Sequence, residues 1–288
     1  MKTHLTTLLT FMLALTAQVT TAQRQKPVKV RVMTFNIRQE NKDDGINNWE
    51  LRYQQTGKFL SKSKADIIGL QEVKQIQLDD IKNALPTYKN VGAAQDDGKQ
   101  AGEYCPIFYN TEKFNLVRDG TLWLSETPET PSKSWGATCN RIATWAILQD
   151  KKTFKSIVAV NTQLDNTSDL ARQNSAVLIK EQIGRRINDL PVVLTGDLNV
   201  CDYDPTYTKI ATRIFPLKDA WKSVSSPKGP TFTYNGFGKT EKNDALNKID
   251  YIFVSPKIQV RKSSVIDASL GGGCFLSDHN AHTADIVF

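Results

Sequence analysis

Apolar residues recur along this chain in short blocks bounded by polar, Gly, Asn or Asp positions. The blocks at 28–37, 67–73, 107–109, 144–148, 157–160, 191–194, 249–254 and 284–287 are strand-length and rich in β-branched residues. That pattern predicts buried or half-buried strands. Helical spacing appears between them. Segment 49–61 places Leu51, Gln55, Lys58 and Phe59 at helical intervals, and 75–85 does so with Ile76, Leu78, Ile81 and Leu85. The longest candidate, 169–186, carries Leu170, Val177, Leu178, Ile179 and Ile183. No repeat, low-complexity tract or Pro/Ser linker divides the chain. Many strands with a few interspersed helices predict one α/β domain whose sheets are flanked by helices.

The N-terminus changes the picture of location. Lys2 precedes an apolar run at 8–17, and the small residues Thr20 and Ala22 stand before Gln23. This predicts a secretory signal at 1–22, removed to leave a domain at 23–288 that is exported, periplasmic or secreted. The run is too short for a spanning helix, and no later stretch is long and apolar enough. The expectation is a monomer with no stable membrane insertion after cleavage. Hydrophobic residues at 40% and charged residues at 23% are ordinary for a globular protein. The net charge of +7 suits a phosphorylated or polyanionic substrate. Cys105, Cys139, Cys201 and Cys274 are widely spaced and lack a zinc-site pattern. An oxidising compartment permits disulfides, and the spacing does not decide between disulfides and buried thiols.

Candidate chemistry gathers where the apolar blocks end. Thr34-Phe35-Asn36-Ile37-Arg38 closes the first block, Gly69-Leu70-Gln71-Glu72-Val73 the second, and Gly196-Asp197-Leu198-Asn199 follows the block at 191–194. Lys248-Ile249-Asp250-Tyr251 opens another, and Ser277-Asp278-His279-Asn280 precedes the last. Each member alone has an ordinary explanation as a turn, cap or surface residue. Together they describe carboxylates beside buried strands, which cost free energy unless paired or bound to a cation. Oxygen donors of the Asn, Glu and Asp type suit Mg²⁺ or Mn²⁺. The histidines are only His4, His279 and His282, too few for a zinc site built from several imidazoles. Asp250 paired with His279 could activate water, the ring taking its proton, while Asp197 and Asn199 position the water and phosphoryl oxygens.

The ordered set Thr-Phe-Asn-Ile-Arg, Gly-Leu-Gln-Glu-Val, Asn-Thr-x-Leu-Asp, Thr-Gly-Asp-Leu-Asn, Ile-Asp-Tyr-Ile-Phe and Ser-Asp-His resembles the endonuclease/exonuclease/phosphatase superfamily, of deoxyribonuclease-I-like fold. The resemblance implies an α/β four-layer sandwich, two mixed β-sheets packed face to face with helices outside. It implies Mg²⁺ or Mn²⁺ and attack of activated water on a phosphate ester. By the same resemblance Asn36, Glu72 and Asp278 are metal-site positions, Asp197 and Asn199 orient the nucleophile and touch phosphate, and Asp250 and His279 are the dyad. The stretch 102–109 resembles a strand bordering the cleft, which makes Tyr104 a substrate-contact candidate, and Arg141 resembles a phosphate-facing arginine.

Two departures stand out. Relatives carry His in the third place of Asn161-Thr162-Gln163-Leu164-Asp165, where this chain has Gln163. Glutamine can hydrogen-bond the scissile phosphate but cannot titrate near neutrality. After Ser-Asp-His, relatives continue with an aromatic, Pro and an aliphatic, whereas Asn280, Ala281 and His282 follow here. Trp123 and Trp135 could stack a base or pack a sugar, or simply fill the core. The expected substrate is a nucleic acid or small phosphodiester, with a sugar or inositol phosphate as the alternative. An impaired phosphate-ligand binding protein on the same scaffold is the reading from another class.

Overall fold

The computed structural model describes residues 26–186, 189–240 and 245–288. The proposed signal at 1–22 lies outside them. In chain order the first half holds β1 (Lys29–Asn36), α1 (Trp49–Ser63), β2 (Ile67–Gln71), α2 (Gln75–Ala84), β3 (Tyr88–Val91) and β4 (Ile107–Asn110). Next come β5 (Phe114–Trp123), β6 (Ile142–Asp150), β7 (Ser156–Gln163), α3 (Asp169–Gly184), β8 (Val192–Asp197), α4 (Pro205–Thr212) and β9 (Lys218–Asp219). The chain closes with β10 (Asp250–Val254), β11 (Gln259–Ile266), the hairpin β12 (Ser269–Gly271) and β13 (Cys274–Phe275), and β14 (Ala281–Val287).

Two six-stranded mixed sheets result, ordered β11-β14-β1-β2-β4-β3 and β5-β6-β7-β8-β10-β9. Each contains one parallel pair made by a helical crossover: β1 with β2 around α1, and β7 with β8 around α3. Side chains alternate between faces along a strand, and three apolar clusters follow from that. Val30, Val32, Ile67, Ala159, Val193, Ile252 and Ile286 meet between the sheets. Met33, Phe35, Ile68 and Leu70 pack against Leu60, Leu78 and Ile81 of α1 and α2. Val160, Leu194, Tyr251 and Phe253 pack against Ile179, Ile183 and Ile210 of α3 and α4. This is the four-layer sandwich that the sequence implied.

The site arises from a change along the inner faces. At one end, the inward positions are the apolar residues of the inter-sheet cluster. At the other end the same alternation brings in Thr34 and Asn36 of β1, Gly69 and Gln71 of β2, Asn161 and Gln163 of β7, Thr195 and Asp197 of β8, and Asp250 of β10. Asn161 ties the sheets there. Its Nδ2 donates to Leu70 O (2.7 Å) and Pro106 O (3.0 Å), and its Oδ1 accepts from Gln71 Nε2 (2.6 Å) and Thr195 Oγ1 (3.0 Å). Gly69 permits this approach, since a Cβ there would meet Thr195 Oγ1 at 2.2 Å and Asn161 Oδ1 at 2.5 Å.

The structure also corrects parts of the helical reading. In α1, Leu51 is 64% exposed while Arg52 is 2% exposed, so the buried face is Trp49, Arg52, Thr56 and Leu60. Ile76 and Leu170 likewise face outward. All four cysteines are free thiols. Trp123 is buried and donates to Gln95 O (2.6 Å), so it packs rather than stacks on a ligand. His282 is buried on the inner face, its Nε2 2.8 Å from Ser263 Oγ, and does not replace the missing imidazole. Among the described residues, no helix is long and apolar enough to cross a membrane.

Candidate active site

The polar ends of the inner faces open into a cleft of about 450 Å³. Its walls include Glu72, Gln163, Asp197, Asn199, Asp278, His279 and Arg141 from the sequence candidates. Asn36 and Asp250 lie directly beneath as fully buried supports. Cross-strand register does much of this: Asp250 pairs with Asp197, and Asp197 with Gln163.

Asn36 is a bracket. Its Nδ2 donates to Glu72 Oε1 (2.9 Å) and Asp197 Oδ2 (3.0 Å), and its Oδ1 accepts from Arg38 N (2.9 Å). Its amide nitrogen therefore positions two carboxylates, while Oδ1 keeps a second lone pair beyond the Arg38 N bond. Gln163 repeats the arrangement from β7. Nε2 donates to Glu72 Oε1 (2.9 Å) and Asp197 Oδ2 (3.2 Å), and Oε1 accepts from Arg141 Nη1 (3.1 Å). Asp197 Oδ1 accepts from Asn199 N (2.9 Å), and Asn199 Nδ2 turns to Leu164 O (2.9 Å). Arg38, Glu72 and Asn199 all hold φ between +54° and +59°, a left-handed backbone that non-glycine residues enter at a cost and that clusters at functional sites.

Three features were missed in the sequence. Arg52, a helix residue between Leu51 and Tyr53, donates to the carbonyls of Ile37, Arg38, Asn47 and Leu276. It thereby joins the end of β1 to the segment leading into Ser277-Asp278-His279. Arg38 sits 3.9 Å from Glu72 and 4.0 Å from Asp278. Asp165 organises the loop before β6: Thr138 N and Oγ1, Thr167 N and Ser168 N all donate to it. Burial alone would raise its pKa, but these bonds hold it at about 2. Asp165 closes the Asn-Thr-x-Leu-Asp motif, the one signal that could have marked it.

Tyr104 does not reach the cleft. It is buried, and its hydroxyl lies 2.6 Å from Lys99 O and 2.5 Å from the Gln75 side-chain amide. Its neighbour Glu103 lines the cleft instead. The segment was right and the face wrong, because adjacent residues in an extended chain point to opposite sides.

Electrostatics distinguish the acids. Burial would raise Glu72, but hydrogen bonds from Asn36, Gln39 N and Gln163, with His279 nearby, keep it below the ordinary carboxylate range. Burial and Asp250 push Asp197 up to about 7. Burial also raises Asp278. His279 Nδ1 lies 2.8 Å from Asp250 Oδ2. Burial opposes its protonation, yet Asp250, Asp278 and Asp197 outweigh that and raise the ring to about 10. Oxygen donors and a surplus of acid fit a hard divalent cation. Glu72 and Asp278 flank the Arg38 guanidinium, 3.9 Å from Nη1 and 4.0 Å from Nε, while Asp44 takes its bidentate pair at 3.0 and 3.1 Å. Asp197, Asp250 and His279 also bring donor atoms within 4.8 Å of one another, but His279 Nδ1 and Asp250 Oδ2 already pair.

Comparison with known proteins now bears on this geometry. The model of the Endonuclease/Exonuclease/phosphatase family matches residues 33–279, from inside β1 to the dyad histidine. The chain belongs to the endonuclease/exonuclease/phosphatase family. An endonuclease/exonuclease/phosphatase of Bacteroides vulgatus is 40% identical, with TM-score 0.86 over 90% of this chain and 98% of that one. A mannosyl-6-phosphatase of Bacteroides thetaiotaomicron is 33% identical, with TM-score 0.84 over 90% and 100%. A 165-residue stretch is 26% identical to an uncharacterized protein of Acanthamoeba polyphaga mimivirus, spanning 54% of this chain and 61% of that relative.

Family members are phosphoester hydrolases, usually with divalent metals. Glu72 and Asp278 would hold the cation, which when bound neutralises charge on the phosphoryl group. The residues supply the rest. Asn36 and Gln163 fix Asp197 against Glu72. Asp197, titrating near neutrality, is placed to orient a water and take its proton. His279, tethered through Nδ1, leaves Nε2 for the cleft. That nitrogen would meet a phosphoryl oxygen or the attacking water.

Proposed function

We propose that this family hydrolase is a divalent-metal-dependent phosphatase acting on a phosphate monoester of a small, hydroxyl-rich molecule, a sugar phosphate in class. The observation that carries this reading is the charge of the cleft. Its lining cations are Arg38, Arg141 and His279, against Glu72, Glu103, Asp197 and Asp278. Nucleic-acid binding rests on many Lys and Arg contacts to successive phosphates. Arg38 is already paired bidentately with Asp44, so few cations remain for substrate, which suits a single phosphoryl group. The chain's positive excess gathers elsewhere, with Lys29, Arg31, Lys64, Arg261 and Lys262 around a separate groove. Beside Cys139 and Ile249, the walls carry Gln39, Thr138, Asn166 and Tyr234, whose polar groups suit hydroxyls. The mannosyl-6-phosphatase activity named for the Bacteroides thetaiotaomicron relative supports the same class.

The test is a substrate panel on the purified chain 23–288 with Mg²⁺, Mn²⁺ or EDTA. Hexose 6-phosphates should exceed bis-p-nitrophenyl phosphate and single-stranded DNA in kcat/KM. Preference for the diesters would return the function to a phosphodiesterase or nuclease. Tight phosphate binding without turnover would indicate a binding protein. We further propose export and a monomeric state. N-terminal sequencing of the extracellular or periplasmic fraction and light scattering test these.

A further inference from the structure

Glu103 is the cleft carboxylate for which the hydrolytic step has no use. It lines the cleft beside Arg141 and Cys139. Its side chain is only 14% exposed, and its nearest charged partner, Lys74 Nζ, stands 3.7 Å away, beyond hydrogen-bond reach. Among the described residues, no hydrogen bond is made to its carboxylate, whereas Glu72 and Asp197 each accept several. A largely buried carboxylate that faces the cleft and takes no donor from the protein is a strong acceptor for a ligand's hydroxyl groups.

The backbone makes Glu103 rigid. Its own carbonyl accepts from Gln95 N (2.9 Å). Tyr104 exchanges bonds with Val73 on the neighbouring segment, N to O at 2.8 Å and O to N at 3.3 Å. Tyr104 also anchors inward through its hydroxyl. Gly102 takes φ +88°, and a Cβ there would meet Asp96 Oδ2 at 2.5 Å, so the approach to Glu103 is sterically set. With Tyr104 locked to the core face, Glu103 has only the cleft face left.

We propose that Glu103 is a specificity-determining residue that accepts hydrogen bonds from hydroxyl groups of the leaving alcohol, selecting a polyol or sugar phosphate over an aryl phosphate. This rests on the phosphatase reading above. A carboxylate can take two hydroxyl donors at once, and its bonds belong to the stronger, charge-assisted kind. Thr138 and Asn166 on the same wall extend the polar surface available to the same molecule.

The experiment compares kcat/KM for a hexose 6-phosphate and p-nitrophenyl phosphate in the wild type, Glu103→Gln and Glu103→Ala, with Mg²⁺ saturating and Tm recorded. Wild-type turnover of the hexose phosphate tests the phosphatase reading by itself. Given that turnover, both variants should lose roughly ten- to a hundredfold more on the hexose phosphate than on the nitrophenyl ester. The loss should appear chiefly in KM, with Glu103→Gln retaining more than Glu103→Ala. Equal losses on both substrates, or a raised metal requirement, would overturn the assignment. A fall in Tm in Glu103→Ala is controlled by the isosteric Glu103→Gln, whose selectivity must still shift.

Discussion

Gln163→Leu removes the amide that joins three charged groups while keeping side-chain volume. The wild-type amide donates to Glu72 Oε1 at 2.9 Å and Asp197 Oδ2 at 3.2 Å, and accepts from Arg141 Nη1 at 3.1 Å. A hydrogen bond to a charged group contributes roughly 1.5–3 kcal/mol. The losses do not sum fully, since Glu72 keeps Asn36 and Gln39 N, and Asp197 keeps Asn36 and Asn199 N. Arg141 retains Asn166 Oδ1 at 3.4 Å, a weak substitute. A net loss of about 2–4 kcal/mol in transition-state stabilisation corresponds to ~30- to 1000-fold in kcat/KM. Stability should fall by about 1–2 kcal/mol, a few degrees in Tm. Steady-state kinetics on p-nitrophenyl phosphate with saturating Mg²⁺, alongside thermal melts, read both. A Gln163→Leu enzyme within threefold of wild type would refute the bracket. Gln163→His is the companion: it restores a titratable group and should aid substrates with poor leaving groups more than nitrophenyl esters. An equal effect on both would mean that position 163 does not act on the leaving group.

Glu72→Ala should abolish metal-stimulated turnover while circular dichroism stays native; retained Mg²⁺ stimulation would remove Glu72 from the metal site. Asp250→Asn should lower kcat by ~10²–10⁴-fold, because the ring loses the partner that fixes and charges it. Because Asp250 raises His279 to about 10, the pair's stabilisation is full below the ring's ordinary pKa and fades as pH rises through about 10. The gap in urea stability between wild type and Asp250→Asn should therefore narrow between pH 7 and 10, and a pH-independent gap would contradict the charged dyad. Tyr104→Phe should cost about 1 kcal/mol in stability and leave KM unchanged; a raised KM would put the hydroxyl back in the cleft.

Fold class and most of the site were legible because they rest on period-two patterns. The blocks ending at Asn36 and Asp197 place apolar inner positions ahead of polar ones, the antiparallel block opening at Asp250 places them after it, and that transition is the cleft. Edge strands were not legible. β5 reads Phe-Asn-Leu-Val-Arg-Asp-Gly-Thr-Leu-Trp, with exposed positions from Asn115 through Asp119, and β11 is similarly polar. A strand with one unpaired edge and a wet face carries little hydrophobic signal. Arg52 is not legible locally, because its value lies in four carbonyls gathered from distant segments, which no local spacing encodes. Glu103 and Tyr104 differ only in parity, and parity depends on which residue the neighbouring Val73 segment pairs with. The role of Asn36 as a bracket needed the positions of Glu72 and Asp197 together.

The most direct test of the account is Mn²⁺ binding by isothermal titration calorimetry, coupled to turnover of a phosphate monoester by the same preparation. Wild type should bind Mn²⁺, and the concentration giving half-maximal turnover should match the calorimetric Kd. Glu72→Ala should lose both together. Turnover that persists in EDTA, or that survives in Glu72→Ala without Mn²⁺ binding, would contradict a metal-dependent hydrolase built on this cleft.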